Sequence, residues 1–160
     1  MLAGFIVLFF VDGFRSAYET YRANKKLYPM RAISDTEIQL SSQFDSAFLL
    51  EMHDHDWTAI ADIFLTSHQQ IEEETARFTC LAENGEIPEL KRRVHLVKPL
   101  WGYCGLPLYQ QRFQDLEKFL GGNPTIPDAL IRLEQEKPFI QSGLELIKQE
   151  AIKIQESLKL

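Results

Sequence analysis

The sequence predicts an all-α protein, an antiparallel four-helix bundle with an additional helix at its N-terminal end. Three observations carry that expectation. Apolar residues recur at three- and four-residue spacing, strand-like alternation is absent, and proline, glycine and asparagine cut the pattern at short intervals. A chain of 160 residues with 45% hydrophobic and 25% charged residues can bury one sizeable core and has an ordinary globular composition.

The additional helix opens the chain. Met1 to Val11 carry no polar side chain, yet they fall short of the ~20 residues that span a bilayer. Neither a basic start nor a small-residue cleavage site marks them as a secretory signal. Beyond Asp12 the stripe of Phe5, Ile6, Phe9 and Phe10 continues through Phe14, Ala17, Tyr18 and Tyr21, giving a helix to about Leu27. Residues 1–27 are therefore expected to pack on the domain, to self-associate or to tether the protein at a membrane. Residues 28–43 lack periodicity and read as a linker, with Pro29 and a capping-box-like Ser34-Asp35-Thr36-Glu37. This divides the chain into an N-terminal helix with linker, 1–43, and a helical domain, 44–160.

Within the domain, 44–52 reads as a short helix. His53-Asp54-His55-Asp56 follows as a turn, with Asp56 placed to cap the next helix. A long amphipathic helix over 57–82 carries Ile60, Ile63, Phe64, Ser67, Ile71, Phe78 and Leu81 near one face, and Asn84-Gly85 ends it. Ile87-Pro88-Glu89 opens a helix that closes near Cys104-Gly105, and Pro107 starts another through Tyr109, Phe113, Leu116 and Leu120. After Gly121-Gly122-Asn123-Pro124 the last helix runs over 127–158, with Pro138 expected to kink or break it.

Several chemistries are excluded or unsupported. A net charge of -6 argues against nucleic acid, whose phosphates need a basic surface. There is no glycine-rich phosphate loop and no Gly-x-Ser-x-Gly elbow, so the chain is not a kinase by itself. Glu72-Glu73-Glu74 reads as a solvated helix face, and His68 as a surface or groove residue beside Glu72. His53, Asp54, His55 and Asp56 have metal-capable side chains without a further ligand cluster, so no metal and no cofactor are expected. Cys80 and Cys104 read as single buried thiols of a reducing compartment, which places the protein in the cytoplasm, near a membrane if residues 1–27 tether it.

The informative segment is 94–106. Leu90, Val94, Val97, Trp101 and Cys104 form one apolar stripe at 100° per residue, which turns His95 to the polar side. Lys98 lies one turn later and Lys91 and Arg92 one turn earlier, with Pro99 and Gly102 alongside. Neutral imidazole is a good nucleophile toward phosphorus. Neighbouring cations would favour its neutral form and then hold the anion that results. Gly102 would leave room for an approaching protein.

This segment resembles the histidine-containing phosphotransfer (HPt) domains of bacterial multistep phosphorelays. Their signature helix reads alanine-histidine-x-x-lysine-glycine, with a further glycine ten residues after the histidine. Val94 stands for the alanine, His95, Lys98 and Gly105 match, and Pro99 occupies the glycine position. Leu116-Glu117 matches the pair that commonly closes the family's next helix, and the likeness covers about 44–155. The resemblance implies a four-helix bundle in which His95 accepts a phosphoryl group and Lys98 stabilises it, with Lys91, Arg92, Pro99 and Gly102 in support. It also implies response-regulator receiver domains or a hybrid sensor kinase as partners, with Mg2+ carried by the receiver. Pro99 removes the N–H that would bond the His95 carbonyl, so a kink is expected there. Leu100 and Trp101 are bulkier than usual, and Trp101 is expected to turn inward. The alternative is a non-catalytic docking module that keeps the fold and has lost the chemistry.

Overall fold

The computed structural model describes residues 38–159. The N-terminal helix expected over 1–27, with its packing, self-association or tethering role, and the capping box at 34–37 lie outside the described residues. What is described is all-helical, in six helices and with no strand. They are α1 (Ser46–Met52), α2 (Trp57–Thr75), α3 (Phe78–Glu83), α4 (Ile87–Tyr103), α5 (Pro107–Gly121) and α6 (Ile126–Leu158). Among the described residues no helix is long and apolar enough to cross a membrane.

The last residues of the expected linker are packed. Ile38 is buried in the core, and the Ser41 N–H donates to Glu150 Oε1 of α6 at 3.0 Å. Lys153 of α6 donates to the carbonyl of Gln39. Phe44 then stacks on Phe64 of α2 at 5.1 Å between ring centroids. The helical unit thus takes in residues from at least Ile38, because one apolar side chain and two polar ties to α6 fix that segment.

Caps and turns set the element boundaries. Asp45 caps α1 through the Phe48 N–H, and Asp56 caps α2 by accepting from Thr58 and Ala59 at 2.9 and 3.2 Å. The long helix expected over 57–82 is interrupted at Ala76 and Arg77, giving α2 and α3. There the Thr75 hydroxyl donates to the Ile71 carbonyl at 2.7 Å, and the Arg77 N–H bonds the Glu74 carbonyl, three residues back. A side chain competing for backbone acceptors tightens the turn and ends the regular ladder. Gly105 closes α4 in the left-handed region at φ 66°, with the Leu106 N–H returning to the Trp101 carbonyl. A Cβ on Gly105 would stand 2.9 Å from Leu49 Cγ, so space and backbone both require glycine there.

Neither internal proline breaks its helix. α4 runs through Pro99 and α6 through Pro138, so the short break that was one of two outcomes expected at Pro138 does not occur. In each case the carbonyl that loses its partner belongs to an exposed residue, His95 or Glu134, and water can take the bond. Buried residues on both sides, Val97 with Trp101 and Leu133 with Ile140, hold the helical path.

α4 packs chiefly on α5 and also on α2, and α2 packs on α6. An aromatic cluster lies within the core of this arrangement. Trp101, fully buried, stacks on Tyr109 of α5 at 5.0 Å and lies 5.7 Å from Phe113, while Tyr109 stacks on Phe139 of α6 at 4.1 Å. The inward turn expected of Trp101 follows from its place on the apolar stripe. Leu100 is buried too. Gly143 of α6 admits these rings, since a Cβ there would stand 2.7 Å from Trp101 Cζ3 and in hard contact with Tyr109 Cε1. Beside it the buried Glu136 carboxylate accepts from Arg112 of α5 and, at 2.7 Å, from Arg132 of its own helix. Arg112 lies over the Phe139 ring at 4.4 Å, so charge and stacking together bind α5 to α6.

Gly143→Ala should destabilise the fold by about 1–3 kcal/mol, because rigid rings cannot yield to the added methyl and overpacking outweighs the gain in helix propensity. A lowered melting temperature by circular dichroism is the expected result.

Candidate functional site

Burial of Leu90, Val94, Val97 and Trp101 fixes how α4 is rotated, and His95 stands on its outer side with a side chain 56% exposed. On α5 the inward positions are Tyr109, Phe113, Leu116 and Leu120. The face of α5 carrying Gln110, Gln114 and Glu117 is then left alongside the outer face of α4. The two faces meet in a compact polar cluster. Glu117 Oε1 lies 2.9 Å from His95 Nδ1, and Glu117 Oε2 accepts from Lys98 Nζ at 2.8 Å. Lys98 also donates to Gln114 Oε1 at 2.9 Å.

The protonation of this cluster follows from its acceptors. Partial desolvation works against a charged Glu117, but the hydrogen bonds from Lys98 and His95 outweigh it and hold the carboxyl below its ordinary range. Glu117 is therefore a carboxylate and can only accept, so Nδ1 carries the hydrogen. In the neutral ring this leaves the lone pair on Nε2, on the far side of a ring that is more than half exposed.

Several expected site residues are placed differently. Arg92 is held by Glu89, one turn back on α4, through Nε to Oε2 at 2.7 Å and a second bond at 2.6 Å. Arg93 reaches across to Glu74 of α2 and also bonds Glu89. The Lys91 ammonium lies at Gly121, the last residue of α5, 3.2 Å from where a Cβ would stand. Of the expected cations Lys98 is the one bonded within the cluster, Arg92 is paired with Glu89, and the charge bonded to the imidazole is a carboxylate. The reason is local pairing: Glu89 stands three and four residues before the two arginines and takes them up. Gly102 does not leave open space either. The Gln110 amide lies over it, 2.8 Å from where a Cβ would stand. Pro99 is partly exposed and continues the helix between Lys98 and Leu100.

Glu117 and Gln114 are the functional candidates that the residue pattern of α4 alone did not reveal. Leu116-Glu117 was visible as a helix-closing pair, but nothing local shows that its carboxylate meets a histidine 22 residues earlier. Elsewhere, His53 is buried, and burial lowers its pKa against the opposing pull of Asp56 and Asp54. Asp56 is used as a cap, and among the described residues no cluster of three or more His, Cys, Asp or Glu could hold a metal ion. An open groove between α5 and α6, lined by Leu108, Gln111, Arg112 and Arg132, lies on the opposite face of α5 from Glu117. Both cysteines are free thiols, and Cys80 is exposed rather than buried.

No protein-family model matches this chain, and neither curated proteins nor solved structures provide a match.

Two titrations follow from these surroundings. The Arg92 guanidinium, helped by Arg93 and only partly offset by desolvation, holds Glu89 down at about 2. A carboxyl depressed by folding contributes stability above its unfolded pKa, here near 4.5, and loses it as pH falls toward about 2. Glu89→Gln should therefore flatten the acid limb of melting temperature against pH in that window. Burial pushes the Cys104 thiol up to about 12, with the Ser67 hydroxyl pulling the other way. At pH 8 a thiol reagent should label Cys80 in the native protein and Cys104 only after denaturation.

Proposed function

We propose that this protein is a histidine phosphotransfer module, in which the long helices α2, α4, α5 and α6 form an antiparallel four-helix bundle of HPt type. The observation that carries the reading is the His95–Glu117–Lys98 cluster: an exposed imidazole whose Nδ1–H is held by a carboxylate, with an ammonium on the same carboxylate. An acceptor of this kind must be reachable by a partner protein, neutral, and unprotonated at the attacking nitrogen.

In the reaction, Nε2 of His95 attacks phosphorus of an aspartyl phosphate on a receiver domain. The Nε2–P bond forms as the P–O bond breaks, and its electron pair returns to the aspartate oxygen. Lys98 has three N–H donors. Glu117 and Gln114 take two, and the third is available to a phosphoryl oxygen. The reverse attack by a second receiver passes the group on. The partners are receiver domains or a hybrid sensor kinase, Mg2+ belongs to the receiver, and the free thiols favour a cytoplasmic setting.

A second reading, a docking module without phosphotransfer, rests on the Gln110 amide that fills the space over Gly102. The two readings separate on labelling. Phosphorylated receiver domains should transfer an acid-labile label to the protein, and His95→Gln should abolish it; a label that survives that change overturns the assignment. No transfer from a broad receiver panel would favour the docking module. Lys98→Ala should slow transfer about tenfold, equivalent to about 1.4 kcal/mol of barrier, with helicity by circular dichroism unchanged.

A further inference from the structure

We infer that Glu117 keeps a proton on Nδ1 of His95 while a phosphoryl group occupies Nε2, so that the phosphohistidine stays a donor rather than becoming a store. This rests on the phosphotransfer reading and goes beyond it, because it assigns the direction in which the site's electrostatics push the bound group.

The neutral ring begins with its hydrogen on Nδ1, 2.9 Å from Glu117 Oε1. When Nε2 forms its bond to phosphorus the ring becomes an imidazolium, and its remaining proton is the one facing Glu117. If that proton were lost to solvent, breaking the P–N bond would leave the electron pair on an imidazolate, a far worse leaving group. A carboxylate at hydrogen-bond distance opposes that loss, since charge-assisted bonds of this kind favour the protonated partner. Breakage then returns the pair to Nε2 and leaves neutral imidazole with its Nδ1–H intact. No proton enters or leaves the ring in either direction of transfer.

Charge balance acts in the same sense. Before transfer, Lys98 and Glu117 cancel, and the neutral form of His95 that attacks adds no charge. An incoming phosphoryl dianion therefore meets an ammonium already shared with a carboxylate and an amide, while the Arg92 and Arg93 guanidinium groups are taken up by Glu89. Such a site holds the group weakly. Glu117 is on this account a positioning residue: it acts through His95 and does not touch phosphorus.

The test loads His95 with phosphoramidate, which transfers its phosphoryl group to imidazole and releases ammonia. Glu117→Gln keeps the shape and an acceptor oxygen and removes the charge. In the loaded wild-type protein the nitrogen-15 resonance of Nδ1 should report a protonated nitrogen at pH 8, and in Glu117→Gln an unprotonated one. Loss of the phosphoryl group to water and to a receiver should be about tenfold slower in the variant. Equal Nδ1 signals and equal rates in the two proteins would overturn the inference and leave the relay intact. The expected differences, with no receiver able to exchange with either protein, would uphold the proton-holding role and sink the relay. Failure of phosphoramidate to load His95 overturns both.

Discussion

The rotation of α4 about its own axis is the constraint on which the rest depends, and Trp101 sets it. An indole buried between Tyr109, Phe113 and the bare backbone of Gly143 has one accessible orientation. Turning α4 by a quarter would expose that ring and drive Lys98 and His95 toward the core. Full burial of an aromatic of this size is worth about 1.5–3 kcal/mol, and the other stripe residues add to it. A surface histidine is thereby held in place by residues that never touch it.

The polar ties follow the same division between helices. Glu117 joins two residues of α4 to α5, Glu74 joins Arg93 to α2, and Glu136 joins α5 to α6. These carboxylates differ in what they leave over. Glu136 is almost completely buried and both its oxygens are taken by guanidinium groups of the protein, which suits it to hold helices together. Glu117 is partly exposed, and the ring it binds is more than half exposed. One acidic side chain is taken up by guanidinium groups of its own and a neighbouring helix, while the other holds an exposed imidazole.

The two helical prolines lie inside continuous helices, and neither ends its helix. Each removes a backbone hydrogen bond, and on that ground a kink was expected. The cost depends on where the orphaned carbonyl points, and here it belongs to an exposed residue on a helix whose inner face is tightly packed. The packed inner face favours a continuous helix, and an acceptor on an exposed residue is open to solvent.

Periodicity along the chain determined the helical class, most helix boundaries and the outward position of His95, because each depends on residues within one or two turns of one another. Gly105, Asp56 and the Asn84-Gly85 pair announced their ends and caps by local backbone chemistry. The interruption at Ala76 was hidden, since it turns on one threonine hydroxyl competing for a carbonyl. The charge around the imidazole was legible only in part. Basic neighbours are visible in a sequence, but whether they face the histidine depends on which acids reach them first. Glu89 could have been read as a partner of Arg92 from its spacing. Glu117 could not have been paired with His95, because that contact exists only once α5 folds back along α4 with Tyr109 and Phe113 inside. Tertiary structure decided the sign of the charge bonded to the imidazole, and with it which nitrogen carries the hydrogen.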